Sequence, residues 1–421
     1  MEIPNDNDSA SLRFPFQETV EAEGHLIDSQ ILELVFDEVV QNGGRFEVDE
    51  FRIGRTNDDP SYLRLRVATP THEAMNALLL HLSSKGCYPV DTADATLATV
   101  ERDCCAPEDF YSSTNHRTLV RVNGEWVEVR EQRMDAMLVV RDGVAYARRL
   151  RDLRAGDRIV VGLRGVRVLP GSKERDRHSF AFMSNGVSSE RQVEMAVRQT
   201  AELMRQARLQ GKDVVIVAGP VVVHTGGVAP VSRLIRAGLV QSLLAGNALG
   251  VHDIEAALLG TSLGVRLADG RLEEHGHRNH MRAINKIYHS GGVAGAVEQG
   301  VLTRGILYEC IRHQVPFVLA GSLRDDGPLP DTVTDMNRAQ DLYAERLRTA
   351  GVVLCLGSML HSIAVGNMLP SWVKIISVDI NPAVATKISD RGTGQLLPVI
   401  TDVGLFLDLL ARHVDGEFEA I

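Results

Sequence analysis

The sequence predicts an α/β protein whose C-terminal half is a doubly wound parallel sheet, preceded by a small α+β segment and a small all-β module. Three observations predict it. After about residue 185, apolar runs of strand length such as Val214-Val215-Ile216-Val217 alternate with helix-period stretches. Strands buried on both faces, and their crossover helices, read this way. Between about 106 and 170 the chain breaks into short strands joined by Asn-Gly and Asp-Gly turns, a hairpin signal. From about 14 to 100 the elements run β-α-β-β-α, with a last strand expected near Thr96 to Val100.

Phe16 to Leu26 reads as the first strand, and Asp28 caps a helix with Ile31, Leu32, Val35 and Val39 on one face. Gly43-Gly44 stops that helix, because glycine accepts left-handed backbone. The alternation from Arg45 to Ile53 slips by one between Val48 and Phe51, the mark of a bulge. Leu63, Leu65 and Val67 alternate with Arg64 and Arg66 as on a half-buried strand. Thr69 as N-cap and Pro70 in the first turn open a second helix that buries Met75, Leu78, Leu79 and Leu82. This order is the ferredoxin-like plan, which serves many functions.

Asn123-Gly124 and Asp142-Gly143 each join two short apolar strands in the central module, and residues 159–161 and 166–169 add two more. Pro170 to Arg177 is a polar connection. Ser189 with Gln192 forms a capping box that opens a helix to about Leu209. Further buried strands are expected at 317–319, 352–356 and 375–378. The expected domains are therefore 1–105, ferredoxin-like; 106–185, the β module and linker; and 186–421, the α/β catalytic domain.

A net charge of −10 argues against the concentrated basic surface that nucleic acid or an anionic membrane requires, and the run Arg148-Arg149-Leu150-Arg151 reads as a solvated face. The five cysteines form no Cys-x-x-Cys pair, which leaves neither a disulfide framework nor a zinc ribbon. No apolar run is long enough to span a bilayer, and Asn5-Asp6-Asn7-Asp8 is unlike a signal peptide, so a cytoplasmic protein is expected.

The chemistry is expected where strands run into glycine-bearing loops. The 352–356 strand enters Gly357-Ser358-Met359-Leu360-His361, and about twenty residues later a second strand ends in Asp379. A tight strand-to-helix turn lets backbone N–H groups approach a pyrophosphate, and a carboxylate on the next strand accepts from a ribose diol. The turn lacks G-x-G-x-x-G, so an ordinary crossover turn remains an alternative. Asp402-Val403 and Asp325-Asp326-Gly327 place further acids at strand ends; a helix cap and a plain turn are their structural alternatives. Asn247-Ala248 opens another loop, with His252, Asp253 and Glu255 close behind as acid–base candidates or as first-turn acids that suit the helix dipole. His275, His277 and His280 lack a carboxylate or cysteine at matching spacing, so no metal is expected. Lys286 can act as a base only if desolvated.

Several segments together resemble one family. They are Phe182-Met183-Ser184 with Ser188-Ser189-Glu190, Gly219-Pro220, His224-Thr225-Gly226-Gly227, Gly246-Asn247-Ala248 and His252-Asp253-Ile254-Glu255. They continue with Gly357-Ser358-Met359-Leu360-His361-Ser362, Val378-Asp379-Ile380-Asn381-Pro382 and Asp390-Arg391-Gly392-Thr393. Over about residues 14–412 the sequence is similar to the archaeal-type, LOR/SDH-domain ornithine cyclodeaminases and to the C-terminal part of the cyanobacterial arginine dihydrolase/ornithine cyclodeaminases. The resemblance implies a C-terminal domain like that of deoxyhypusine synthase, with NAD as cofactor. It implies NAD contacts at Asn247, Ala248, Asp326, Ser358, Met359, Leu360, His361, Asp379, Asp402 and Val403.

The implied reaction turns L-ornithine into L-proline and ammonia. A hydride leaves Cα for NAD+, the δ-amine attacks the resulting imine, ammonia departs and the hydride returns. Asp253 and His252 are expected to carry the proton traffic, with Lys286 behind them; the residues suggest this, and the resemblance does not assign it. Two other readings stay open: a dehydrogenase or reductase of the lysine–saccharopine type, and a non-catalytic sensor of NAD or an amino acid. A homo-oligomer is expected from the frequency of such assemblies.

Overall fold

In the computed structural model the described residues are 14–24, 26, 27, 31–54, 59, 61–90, 93–169, 189–267, 270, 271, 273, 276–325, 327–389 and 396–418. The chain forms two compact units, Met1–Ala181 and Phe182–Ile421.

The first unit begins with strands β1 (Phe16–Gly24), β2 (Arg45–Arg52), β3 (Ser61–Thr69) and β4 (Cys87–Pro89), in sheet order β2-β3-β1-β4. The helices Ile31–Gln41 and His72–Ser84 supply Val35, Val39, Leu78 and Leu82 to a core shared with Val20, Leu65 and Val67 of the sheet. This antiparallel βαββαβ order is ferredoxin-like. The expected slip is a register shift between Val48 and Glu50.

Three local expectations are corrected. β1 ends at Gly24, short of Leu26. The second helix is capped by Thr71, whose hydroxyl accepts from the Ala74 amide. Thr69 cannot cap it, because Thr69 is still paired in the sheet opposite Phe16. The sheet's fourth strand is Cys87–Pro89, whereas Leu97–Thr99 pairs with a strand of the β module. The cap expected at Asp28 lies outside the described residues.

That module contains β5 (Leu97–Thr99), β6 (Arg117–Val122), β7 (Glu125–Glu128), β8 (Met137–Arg141), β9 (Val144–Arg148), β10 (Arg158–Val160) and β11 (Val166–Leu169). They form two sheets, β5-β10-β8-β9 and β11-β6-β7. Asn123-Gly124 (φ 54° and 82°) and Asp142-Gly143 (φ 50° and 76°) take the left-handed pair that a two-residue hairpin turn needs.

The second unit holds β12 (Asp213–Ala218), β13 (Ser242–Gly246), the ribbon β14 (Thr261–Ser262) and β15 (Val265–Arg266), then β16 (Phe317–Ala320), β17 (Thr332–Val333), β18 (Ala350–Leu356), β19 (Lys374–Asp379) and β20 (Leu396–Ile400). Seven of these make one wholly parallel sheet in the order β17-β16-β13-β12-β18-β19-β20. Both faces are covered. Val214 and Ile216 of β12 pack with Val197, Met204 and Phe406 from the helices Ser189–Leu209 and Val403–Phe418. Val215 and Val217 face Tyr343, Val365 and Ile388 from the helices Met336–Leu347, Met359–Met368 and Pro382–Ser389. Burial on both sides is why β12 from Val214 onward and β18 are apolar rather than alternating.

The order reverses at β12. Successive strands step away from it as β13, β16 and β17 on one side and as β18, β19 and β20 on the other. The loops leaving β12 and β18 therefore diverge and open a crevice at the carboxyl ends of these strands, where doubly wound proteins bind ligands.

Candidate active site

The crevice floor is made by backbone. A Cβ on Gly219 would overlap the Gly357 carbonyl oxygen, and one on Gly357 would overlap Val221 Cγ1. Gly357 also has φ +55°, so both position and conformation exclude a side chain there. Ser358 follows in extended conformation and starts the helix Met359–Met368 without a side-chain capping bond. Its hydroxyl and the first amides of the helix are thus available to a ligand. Met359 and Leu360 are exposed beside it.

Asp379 ends β19 half-buried, and its Oδ1 accepts from the nearby Asn381 amide at 2.8 Å. Asp402, after β20, accepts from the Leu405 amide at 2.8 Å and caps the helix Val403–Phe418. Val403 is buried behind it. Asp325 likewise closes a turn onto the Ser322 amide at 2.6 Å. Asp326 lies outside the described residues, as do His275 and the resemblance segments at 182–184, 188 and 390–393.

On the β13 side, Asn247 opens the helix Asn247–Leu259 almost fully buried. Its Oδ1 accepts from the Leu329 amide (3.0 Å) and the Thr332 hydroxyl (2.9 Å), which ties down the segment leading into β17. Ala248 is half-buried next to it. His361 reaches across from the helix Met359–Met368, and its Nε2 would lie 3.1 Å from a Cβ on Gly246. Burial lowers the His361 pKa, which keeps the ring neutral.

The same end of the sheet holds a cluster of histidines. His224, after β12, and His252, on the second turn of the helix after β13, stack edge to face with ring centroids 4.8 Å apart. His252 Nδ1 lies 2.7 Å from the Ser262 hydroxyl and 3.4 Å from His224 Nε2. His280 approaches from the helix Asn279–His289, 5.2 Å from His252 between centroids. Glu255 anchors the group. Its carboxylate accepts from Thr261 Oγ1 (2.7 Å), the Gly264 and Leu263 amides (3.1 Å each) and His280 Nδ1 (3.3 Å).

These contacts set the charges. Burial alone would raise the Glu255 pKa, but hydrogen bonds from His280, Thr261, Gly264 and Leu263 outweigh it and hold the carboxyl at about 2. His252 is pushed down to about 4, first by burial and then by His224 and His280, against the pull of Glu255. Burial likewise lowers His224. The result is a fixed negative charge beneath a neutral imidazole, which is an acid–base centre that also favours an ammonium group. His252, Glu255 and His280 have ligand atoms within 4.8 Å of one another.

Two catalytic expectations are corrected. Asp253 is fully buried and accepts from the Ile306 (2.8 Å) and Leu307 (2.9 Å) amides, so it fastens the start of the helix Ile306–Arg312 instead of facing a substrate. Lys286 is exposed on the helix Asn279–His289, so the desolvation a lysine base requires is missing. Glu255 was among the acid–base candidates, but its contact with His280 and the place of Ser262 beside His252 were not visible. The one local signal was the spacing of His252 and Glu255 on a single helical face.

A wholly parallel sheet with a switch point at β12, where Gly219 and Gly357 leave no room for a Cβ, and a cluster of titratable groups at the same end of the sheet define a doubly wound α/β protein of the Rossmann type. Residues 17–116 match the LOR/SDH bifunctional enzyme conserved region. Residues 117–197 match the first region, and residues 198–410 the Rossmann fold, of the arginine dihydrolase ArgZ-like C-terminal part. The chain belongs to this family, which joins the archaeal-type ornithine cyclodeaminases to the C-terminal part of the cyanobacterial arginine dihydrolase/ornithine cyclodeaminases.

It is 48% identical over 405 residues to the bifunctional arginine dihydrolase/ornithine cyclodeaminase AgrE of Nostoc sp., covering 94% of this chain and 58% of that protein. It is 46% identical over 408 residues to an ornithine cyclodeaminase of Methanocaldococcus jannaschii, covering 95% and 96%. The chain thus spans little more than half of the cyanobacterial relatives and nearly all of the archaeal one. Among solved structures, apo ArgZ superposes with TM-score 0.82 at 44% identity, covering 95% of this chain and 58% of that one. The ternary complex of AgrE with ornithine and NAD+ superposes with TM-score 0.53 at 45% identity, covering 96% and 58%. Among the described residues no helix is long and apolar enough to cross a membrane.

Proposed function

We propose that the protein is an NAD-dependent ornithine cyclodeaminase that converts L-ornithine to L-proline and ammonia. The observation that carries this reading is the end-to-end similarity to an archaeal enzyme named for that activity. The relative solved with ornithine and NAD+ supports it. The residues present fit the dinucleotide, since Gly219 and Gly357 leave the crevice floor without side chains and the Ser358 hydroxyl is unused by its helix. Asn247, Ala248, Ser358, Met359, Leu360, His361, Asp379, Asp402 and Val403 would hold it, together with Asp326. When bound, NAD supplies the hydride acceptor and donor that the substrate Cα needs.

The rest falls to the chain. The fixed charge of Glu255 draws in an ammonium of the substrate. His252, neutral at physiological pH, takes the proton that the attacking amine must lose. His280, held by Glu255, is placed to return a proton to the departing ammonia. Ser262 and His224 hold the His252 ring in place. A homo-oligomer belongs to the same proposal.

The test is incubation of the purified protein with L-ornithine and NAD+, following proline, ammonia and NADH together. Equal proline and ammonia without accumulating NADH is expected. Accumulating NADH would replace the cyclodeaminase with a dehydrogenase, and absence of turnover would leave a binding protein.

A further inference from the structure

Tyr343 lies in the helix Met336–Leu347 and is 4% exposed. Its hydroxyl is 2.8 Å from the Ala245 carbonyl oxygen and 2.9 Å from His361 Nδ1. A phenol has one proton, and a carbonyl oxygen can only accept. The proton of Tyr343 is therefore committed to Ala245. Burial pushes the phenol pKa up, so the proton is not lost. The contact with His361 can then be a hydrogen bond only if the ring donates, which puts the imidazole proton on Nδ1. A neutral ring with Nδ1–H carries its lone pair on Nε2.

That nitrogen sits at the carboxyl end of β13, against Gly246, where any Cβ would be 3.1 Å away. Glycine at 246 leaves room for the imidazole at the seam between the β13 and β18 loops. Ala245, one residue earlier, receives the Tyr343 proton. One short segment thus both fixes the ring's protonation and makes space for its far edge.

We propose that Tyr343 is a positioning residue that locks His361 in the Nδ1–H tautomer, so that Nε2 serves as a hydrogen-bond acceptor in the crevice for an amide or amine N–H of the dinucleotide. The tautomer follows from this chain's own geometry. The identity of the donor rests on the function proposed above.

The test begins on the ligand-free wild-type protein labelled with 15N-histidine, read at neutral pH by long-range 1H–15N correlation. The His361 signal is the one lost in His361→Gln. An Nδ1–H ring is expected; an Nε2–H ring or an imidazolium would overturn the proposal. In Tyr343→Phe the ring is expected to move toward the Nε2–H form, and an unchanged ring would overturn the positioning role. NAD+ is then added. A shift of the His361 Nε2 resonance, and about five-fold weaker binding by Tyr343→Phe, are expected. Bound NAD+ with no shift at Nε2 would overturn the acceptor role. If the wild-type protein binds no NAD+, the proposed function fails and the acceptor role with it, while the tautomer still stands or falls on the ligand-free spectrum.

Discussion

Asp253 and Glu255 stand two residues apart on one helix, and both are wholly buried, yet their surroundings drive them in opposite directions. Asp253 faces the turn at 305–307 and receives two backbone amides. Burial outweighs these and raises its pKa to about 6. Glu255 faces the β14–β15 ribbon and His280, and its four donors hold it at about 2. Burial does not by itself make a carboxylate reactive or inert; the number and kind of donors decides. The same contrast separates a clamp from a site. Asp253 fastens one helix to another through Gly305, where a Cβ would meet its Oδ2 at 2.9 Å. Glu255 orients an imidazole that still has an edge toward the cluster.

The largest effect is expected from Glu255→Gln, which turns an amide NH2 toward groups that are themselves donors. The loss should be about 2–4 kcal/mol in urea unfolding, with most of the activity. A variant that keeps its stability and turnover would remove Glu255 as the anchor. Next comes Asp379→Ala at the half-buried end of β19, where among the described residues the carboxylate accepts from the nearby Asn381 amide. NAD+ affinity should fall by about 1–3 kcal/mol by calorimetry, and unchanged affinity would break the placement of β19 in the cofactor site.

Asp253→Asn sharpens the contrast through pH. The folded pKa of Asp253 lies above its ordinary 3.8. Its carboxyl therefore favours the fold while protonated, and this contribution is lost as pH rises from about 3.8 to about 6. Glu255 has the opposite sign, with stabilisation present above its ordinary 4.5 and lost as pH falls toward about 2. The wild-type protein should thus lose about 3 kcal/mol relative to Asp253→Asn across the upper window. Parallel unfolding curves would mean that Asp253 is not desolvated. Lys286→Ala should change least, within about 0.5 kcal/mol in stability and less than about two-fold in kcat; a large loss of kcat would return this lysine to the mechanism.

Much of the architecture was legible because its causes are local. Apolar runs at β12, β18 and β19 marked strands buried on both faces, and the two Gly-bearing hairpins follow from turn chemistry. Errors fell where local signals compete. Thr69-Pro70 looks like a helix start, but pairing with β1 keeps Thr69 in its strand. The three-residue β4 ends in proline and has no periodicity to read. At the site, strand-end residues such as Ser358 and Asp379 were visible as strand ends. His280 had no visible partner, because Glu255 lies 25 positions away.

From its residues alone the chain specified which segments are strands and helices, where tight turns fall and which polar groups stand at strand ends, since backbone sterics and hydrophobic period act within a few residues. Folding in three dimensions settled the rest. The order β13-β12-β18 placed the crevice, brought His224, His252 and His280 together and made Asp253 a clamp and Glu255 an anchor. Those outcomes depend on which distant donors reach a buried acceptor, and sheet order, which no local period encodes, sets that.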